Sequence, residues 1–277
     1  MNQNTFWQIF IANGFPDSFF YLQFFLKLGL SAAIVIAASL VIEHSGPLVG
    51  ALVVTLPVTV IPAFAFISLD HNASYMAAAA TVGFAVVSIN GLFMMLYILL
   101  AQKRNIVLSV GIPIVVWFTF AWFIYIYSWT SLSALLLNAC IFPVCIFLAR
   151  HYRSHTILII KRKWYELPLR TILVCLLMGT VLVLSGFASP STAAIISVFP
   201  ISTTSTILII HSSFGGRSSA SVIANGLWGM LGIGIGLFVF SLTVEISIPL
   251  SFTVFILVPV TWNMLIWIWY RKRLPLA

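Results

Sequence analysis

Charge is what this chain has least of. Only 6% of its 277 residues are charged, and only five are acidic: Asp17, Glu43, Asp70, Glu166 and Glu245. Soluble domains carry about 25% charged residues, so a water-solvated globule is excluded. None of the five carboxylates falls at the centre of an apolar run, where a proton-coupled carrier usually places a carboxylate or histidine. Cysteine is scarce as well. Cys140, Cys145 and Cys175 lie in apolar runs without CxxC spacing, which argues against a disulfide framework and against a metal site. HExxH, GxSxG and Walker patterns are absent, so zinc, nucleophilic and nucleotide chemistry lack their parts. The expectation is therefore no enzyme, no cofactor and no metal. Sustained apolar–polar alternation is missing too, which argues against a transmembrane β-barrel. Met1–Gln23 lacks the basic start and small-residue cleavage site of a signal peptide.

What the chain has in excess is apolar sequence. Hydrophobic residues make up 62% of it, and the mean hydropathy is +1.15. Several runs exceed the ~20 residues that cross a bilayer as helix. The expected fold is an all-α polytopic membrane protein with nine transmembrane helices, at roughly 20–42, 47–68, 74–100, 105–127, 131–149, 167–187, 190–211, 217–244 and 248–270. Thr5–Ala12 reads as an interfacial aromatic segment, and Asn13–Asp17 has the residue types of a turn.

The net charge of +8 lies in a few loops and does not indicate nucleic-acid binding. Lys103 and Arg104 follow the third expected span. Arg150, Arg153, Lys161, Arg162 and Lys163 follow the fifth, Arg217 the seventh, and Arg271, Lys272 and Arg273 the ninth. With nine spans these all fall on one side, the cytoplasm by the positive-inside rule. The other side receives Asp17, Asp70, Ser128–Ser131, Ser189 and Glu245. A multi-pass protein of the cell inner (plasma) membrane is expected, with its N-terminus outside and its C-terminus cytoplasmic.

The chain also repeats itself. Pro47, Pro57, Gly83 and Gly91 recur without a gap as Pro190, Pro200, Gly226 and Gly234, an offset of 143 residues. Ala51 and Ala77 recur as Ala194 and Ala220, and Lys27 falls on Arg170. Trp117 and Trp122 match Trp262 and Trp267 after a short insertion. Shared prolines and glycines in one register are more than a common apolar alphabet supplies. An offset of five spans is odd, so the second unit sits upside down relative to the first, as in many transporters. The expected organisation is an interfacial segment (1–19), a four-helix unit (20–127), a linker helix with a basic loop (128–165) and a second four-helix unit (166–277).

Candidate site residues follow from the repeat. Pro57 and Pro200 lie near the middle of the second and seventh spans, where proline removes a backbone donor and frees carbonyls. Freed groups in lipid must find partners in protein or water. Thr59 in one span, and Ser202, Thr203 and Thr204 in the other, are hydroxyls placed to bind a solute or to bond back to their own helix. Lys27 and Arg170 open the first and sixth spans. Two readings stand for them, snorkelling to the interface or acting as matched cationic gates that attract an anion. Asn90 and Asn225 are intramembrane amides that need partners, most simply interhelical hydrogen bonds. Gly232 and Gly236 have the spacing for close helix approach.

Each four-helix unit resembles the GlpM-type small inner-membrane proteins. The resemblance rests on the basic residue opening the first span (Lys27, Arg170), the polar connection Ser45-Gly46-Pro47 or Ala188-Ser189-Pro190, and the proline-broken second span (Pro57 and Pro62; Phe199-Pro200). The second unit departs from the pattern in having Ser205 where the first has Pro62. The resemblance implies a bacterial inner-membrane protein and carries no reaction with it. The four-plus-one-plus-four plan is also similar to fused dual-topology proteins such as the eukaryotic fluoride exporters, through the hydroxyl run Thr203-Thr204-Ser205-Thr206. That similarity implies fluoride conduction as one alternative.

The expected function is a transporter or channel for a small solute, an anion fitting best, with its site at the broken second and seventh spans. The alternative is a non-transporting membrane partner in envelope or polysaccharide assembly. The expected partners are the lipid bilayer and the solute, and a homo-oligomer is compatible with the sequence.

Overall fold

The computed structural model describes residues 18–44, 57, 59–153, 166–185 and 188–273. Among these, nine α-helices and a short 3-10 turn account for the regular structure, and there is no strand. The helices are α1 (Ser18–His44), α2 (Val60–Asp70), α3 (Ala73–Leu100), α4 (Ile106–Ile126), α5 (Ser131–Ala149), α6 (Glu166–Ser185), α7 (Pro190–Ser197), α8 (Ile201–Thr243) and α9 (Ile248–Arg273). The expected interfacial segment and turn at Thr5–Asp17, the start of the second expected span, and the loop carrying Lys161, Arg162 and Lys163 lie outside the described residues.

Long apolar runs make these helices, and short polar side chains start them. Asn72 accepts a hydrogen bond from the Tyr75 amide at 2.9 Å, and Asn105 one from the Leu108 amide at 3.0 Å. Thr130 and Ser133 exchange bonds with each other's backbone amides in a capping box at α5. Ser189 caps α7, with Pro190 in the first turn. Each cap satisfies an amide that the first helical turn leaves without a partner.

Five described stretches are long and apolar enough to cross a membrane: 73–100, 106–126, 131–152, 190–243 and 248–269. Their burial differs sharply. The most apolar window of α3 is 83% buried, against 28% for those of α4 and α5 and 22% for that of α9. α3 is thus the central post, with α4, α5, α7 and α8 packed around it. The outward faces of α4, α5 and α9 carry Phe118, Trp122, Phe123, Leu136 and Leu265, the side chains a lipid-facing surface takes. At about 1.5 Å per residue α3 is about 42 Å long, more than the ~30 Å of hydrocarbon, so it tilts or extends beyond it.

The 54-residue stretch from Pro190 to Thr243 is not one rod. On the first leg, the Ala188 carbonyl meets Tyr75, the Val198 carbonyl meets Asn90 and His211 meets Tyr97, so the leg runs parallel to α3. On the second leg, Ser219 meets Tyr97 and Glu245 meets Ser74, so the chain returns antiparallel to it. The reversal is at Gly215, where φ is 81° and ψ 168°. That region of conformational space is essentially reserved for glycine. Next to it, a Cβ at Gly216 would strike the Ala101 carbonyl, so the close approach of the α3 end also requires glycine.

α3 spans 73–100 and the second leg of α8 spans 216–243, each boundary 143 residues apart. α1 packs on α6, and α3 packs on α8. Gly232 and Gly236 seat α8 against α9: a Cβ there would lie 2.8 Å from Trp262 and 2.9 Å from Phe255.

Candidate functional site

The seventh expected span is divided. α7 ends at Ser197, Val198–Pro200 is non-helical, and α8 resumes at Ile201. Proline explains the break, because it has no amide to donate and its ring clashes with the preceding turn. The Val198 carbonyl is left to find an external partner, and Asn90 of α3 supplies it. The Asn90 side-chain amide donates to that carbonyl at 2.9 Å, while its oxygen accepts from the Trp117 indole at 2.7 Å. All three groups are buried. Phe199 is clasped between aromatic rings, edge-on to Trp117 at 4.9 Å and stacked near Phe118 at 5.8 Å.

In the second expected span the described residues are Pro57 and those from Thr59 onward. Pro57 is buried and non-helical, Thr59 is buried just before α2, and the helix begins at Val60. The break at Val198 and the helix α2 approach each other over Gly83. A Cβ there would lie 3.4 Å from Val198 and 3.6 Å from Phe64 of α2. What converges at that point is apolar. The absence of a side chain at Gly83 lets α2, the break and the return leg of α8 share one crossing on α3.

The hydroxyls after the break face their own helix. Thr204 donates to the Pro200 carbonyl at 2.8 Å, Ser205 to the Ser202 carbonyl at 2.9 Å and Thr206 to the same carbonyl at 2.8 Å. Ser202 and Thr203 are half-buried beside them. Such back-bonding satisfies the hydroxyls within their own helix, where the Pro200 carbonyl also accepts the Thr204 amide at 2.9 Å.

Of the two basic candidates, Lys27 is half-exposed on α1. Its Nζ lies 3.8 Å from Asp70 at the end of α2 and 6.0 Å from the Phe66 ring centroid. Arg170 opens α6. Lys27 thus reaches across to the second span rather than standing alone at a mouth.

Two groupings were less visible in the sequence. At one end of the bundle, Tyr97 donates to Ser219 at 2.7 Å, and its hydroxyl lies 3.0 Å from His211 Nδ1. Residues from α3 and both legs of α8 are tied together there. At the opposite end a cavity of about 550 Å³ opens between the start of α3, the α4–α5 connection, the start of α7 and the end of α8. It is lined by Thr81, Tyr125, Tyr127, Trp129, Ser241 and Glu245, among others, and the residues of the Val198–Pro200 break are not among its walls. The available sequence signal was the loop assignment, which put Ser128–Ser131, Ser189 and Glu245 on one side.

No family model, curated protein or solved structure matches the chain.

Proposed function

We propose that this protein is a membrane transporter or channel for a small solute, built from two inverted four-helix units with the linker helix α5 between them. The observation that carries the reading is the interrupted span at Val198–Pro200, whose carbonyl is held by a side chain of the central helix. Broken helices near the midplane, at the interface of two repeats, are where such proteins form their sites. The non-helical Pro57 ahead of α2 supports it, as do the bounds of α3 and of the second leg of α8, 143 residues apart, and the packing of α1 on α6 and α3 on α8. In this reading the substrate-contacting residues are Pro57, Thr59, Pro200, Ser202, Thr203 and Thr204, with Lys27 and Arg170 near the two mouths. Lys27 sits against the Asp70 carboxylate, so this residue adds little net attraction for an anion. The GlpM-type likeness of each half belongs to the same proposal, and with it the inner membrane and the outside N-terminus.

A second reading has its own observation. The Thr204, Ser205 and Thr206 hydroxyls bond back to their own backbone, and Phe199 fills the break against Trp117. Those are the contacts of a packing element, and they favour the non-transporting assembly partner.

Cysteine accessibility along 197–206, in a chain lacking Cys140, Cys145 and Cys175, separates the two. Transport predicts labelling at Ser202 and Thr203 by a membrane-impermeant thiol reagent. Protection of the whole segment from both faces makes the assembly partner the better account.

A further inference from the structure

The cavity at the Glu245 end is separate from the break and has a chemistry of its own. Its volume of about 550 Å³ falls in the range of small-molecule sites, roughly 300–1,000 Å³. No Lys, Arg or His lines it, and its one charge is the Glu245 carboxylate. Among the described residues no basic side chain lies within 4.0 Å of Glu245, and its hydrogen-bond partner is the neutral Ser74 hydroxyl at 3.2 Å. Three aromatic residues share the wall: Tyr125, Tyr127 and Trp129. Tyr127 and Trp129 meet edge-on at 4.8 Å, and the Trp129 indole is fixed to the Ile124 carbonyl at 2.9 Å. Thr81 and Ser241 add hydroxyls from the facing helices α3 and α8.

A carboxylate with no basic partner among the described residues attracts positive charge by Coulomb attraction, and in a cavity walled in part by aromatic rings an ammonium seated on a ring face gains from its quadrupole as well. The hydroxyls suit a ligand that also carries a hydrogen-bonding group. An anion meets repulsion from Glu245, and among the described residues no group of three His, Cys, Asp or Glu side chains is placed to hold a metal ion. We propose that this cavity binds a small organic ammonium group, carried by a free amine or by an amine-bearing lipid headgroup. The proposal is independent of transport, since it concerns a binding site that the assembly-partner reading also accommodates.

The test uses the full-length protein in detergent and ethanolammonium chloride as the probe, with sodium chloride and glycerol as matched controls. Tryptophan fluorescence and thermal stability are followed on titration. The expected result is a saturable response to the probe that neither control produces, weakened at least tenfold in Glu245→Gln and in Tyr127→Leu. Glu245 and Tyr127 are exposed, so both variants are expected to fold, and each checks the other. Repeating the titration in nanodiscs distinguishes the sources. A response in phosphatidylglycerol discs that is suppressed in phosphatidylethanolamine discs assigns the site to the lipid headgroup. Equal affinity in both assigns it to a free amine. A response no different from sodium chloride, or one unchanged in both variants, overturns the proposal.

Discussion

Asn90 is the residue on which the interrupted span depends most directly. Its amide group satisfies the Val198 carbonyl on one side and the Trp117 indole on the other. Replacing it with leucine orphans both groups in an apolar interior. Interhelical hydrogen bonds in membranes average only about 0.6 kcal/mol, but a buried group left without a partner costs about 1–3 kcal/mol. The second figure governs here, so Asn90→Leu is expected to lower unfolding stability by about 1–3 kcal/mol, read by thermal unfolding in detergent. Trp117→Phe keeps a ring against Phe199 and loses one donor, so its expected cost is about 1 kcal/mol. A double variant no worse than Asn90→Leu alone indicates that the two act as one unit; strict additivity indicates that they do not.

At the scale of elements, the reversal within α8 and its seam with α9 depend on glycine for different reasons. Gly215 is required by conformation, since its φ of 81° is strained for any L side chain, although nothing lies within 4 Å of a Cβ built there. Gly215→Ala is expected to cost about 1–3 kcal/mol. The control is Gly111→Ala in α4, equally free of neighbours but helical, which is expected to be neutral or stabilising by up to about 1 kcal/mol. Equal effects at the two sites would refute the reversal. Gly236 is required by space instead. Gly236→Leu drives a side chain into Phe255 and Pro259 and is expected to cost about 1–3 kcal/mol by overpacking. Partial recovery in Gly236→Leu combined with Phe255→Ala would show that the cost lies in the α8–α9 seam.

The whole molecule is a set of apolar helices around one buried post, and its orientation is the quantity to measure. The basic residues at Lys103, Arg104, Arg150, Arg153, Arg217 and Arg271–Arg273 predict one cytoplasmic face. Reporter fusions are expected to place the N-terminus outside and the C-terminus inside. Both termini on one side would mean an even number of spans, and two units with an odd offset would no longer be inverted.

Composition was enough to identify a helical membrane chain, and its apolar runs to place several helix starts. Asn72, Asn105, Thr130 and Ser189 cap helices because their side chains reach amides three residues on, a strictly local interaction. Pro200 was legible as a break for the same reason, since proline acts on its own turn. The expected ranges 74–100, 105–127 and 131–149 fall on α3, α4 and α5. The partners of those local features were not legible. That the Val198 carbonyl would fall to Asn90, that Lys27 would meet Asp70, and that Thr81, Tyr127 and Glu245 would share one cavity are contacts between residues far apart in the chain. Apolar helices without a distinct polar face give no indication of which side turns inward. Only the packing of the helices on α3, with close approach at Gly83 and Gly216, and of α8 on α9 at Gly232 and Gly236, decided which polar groups meet.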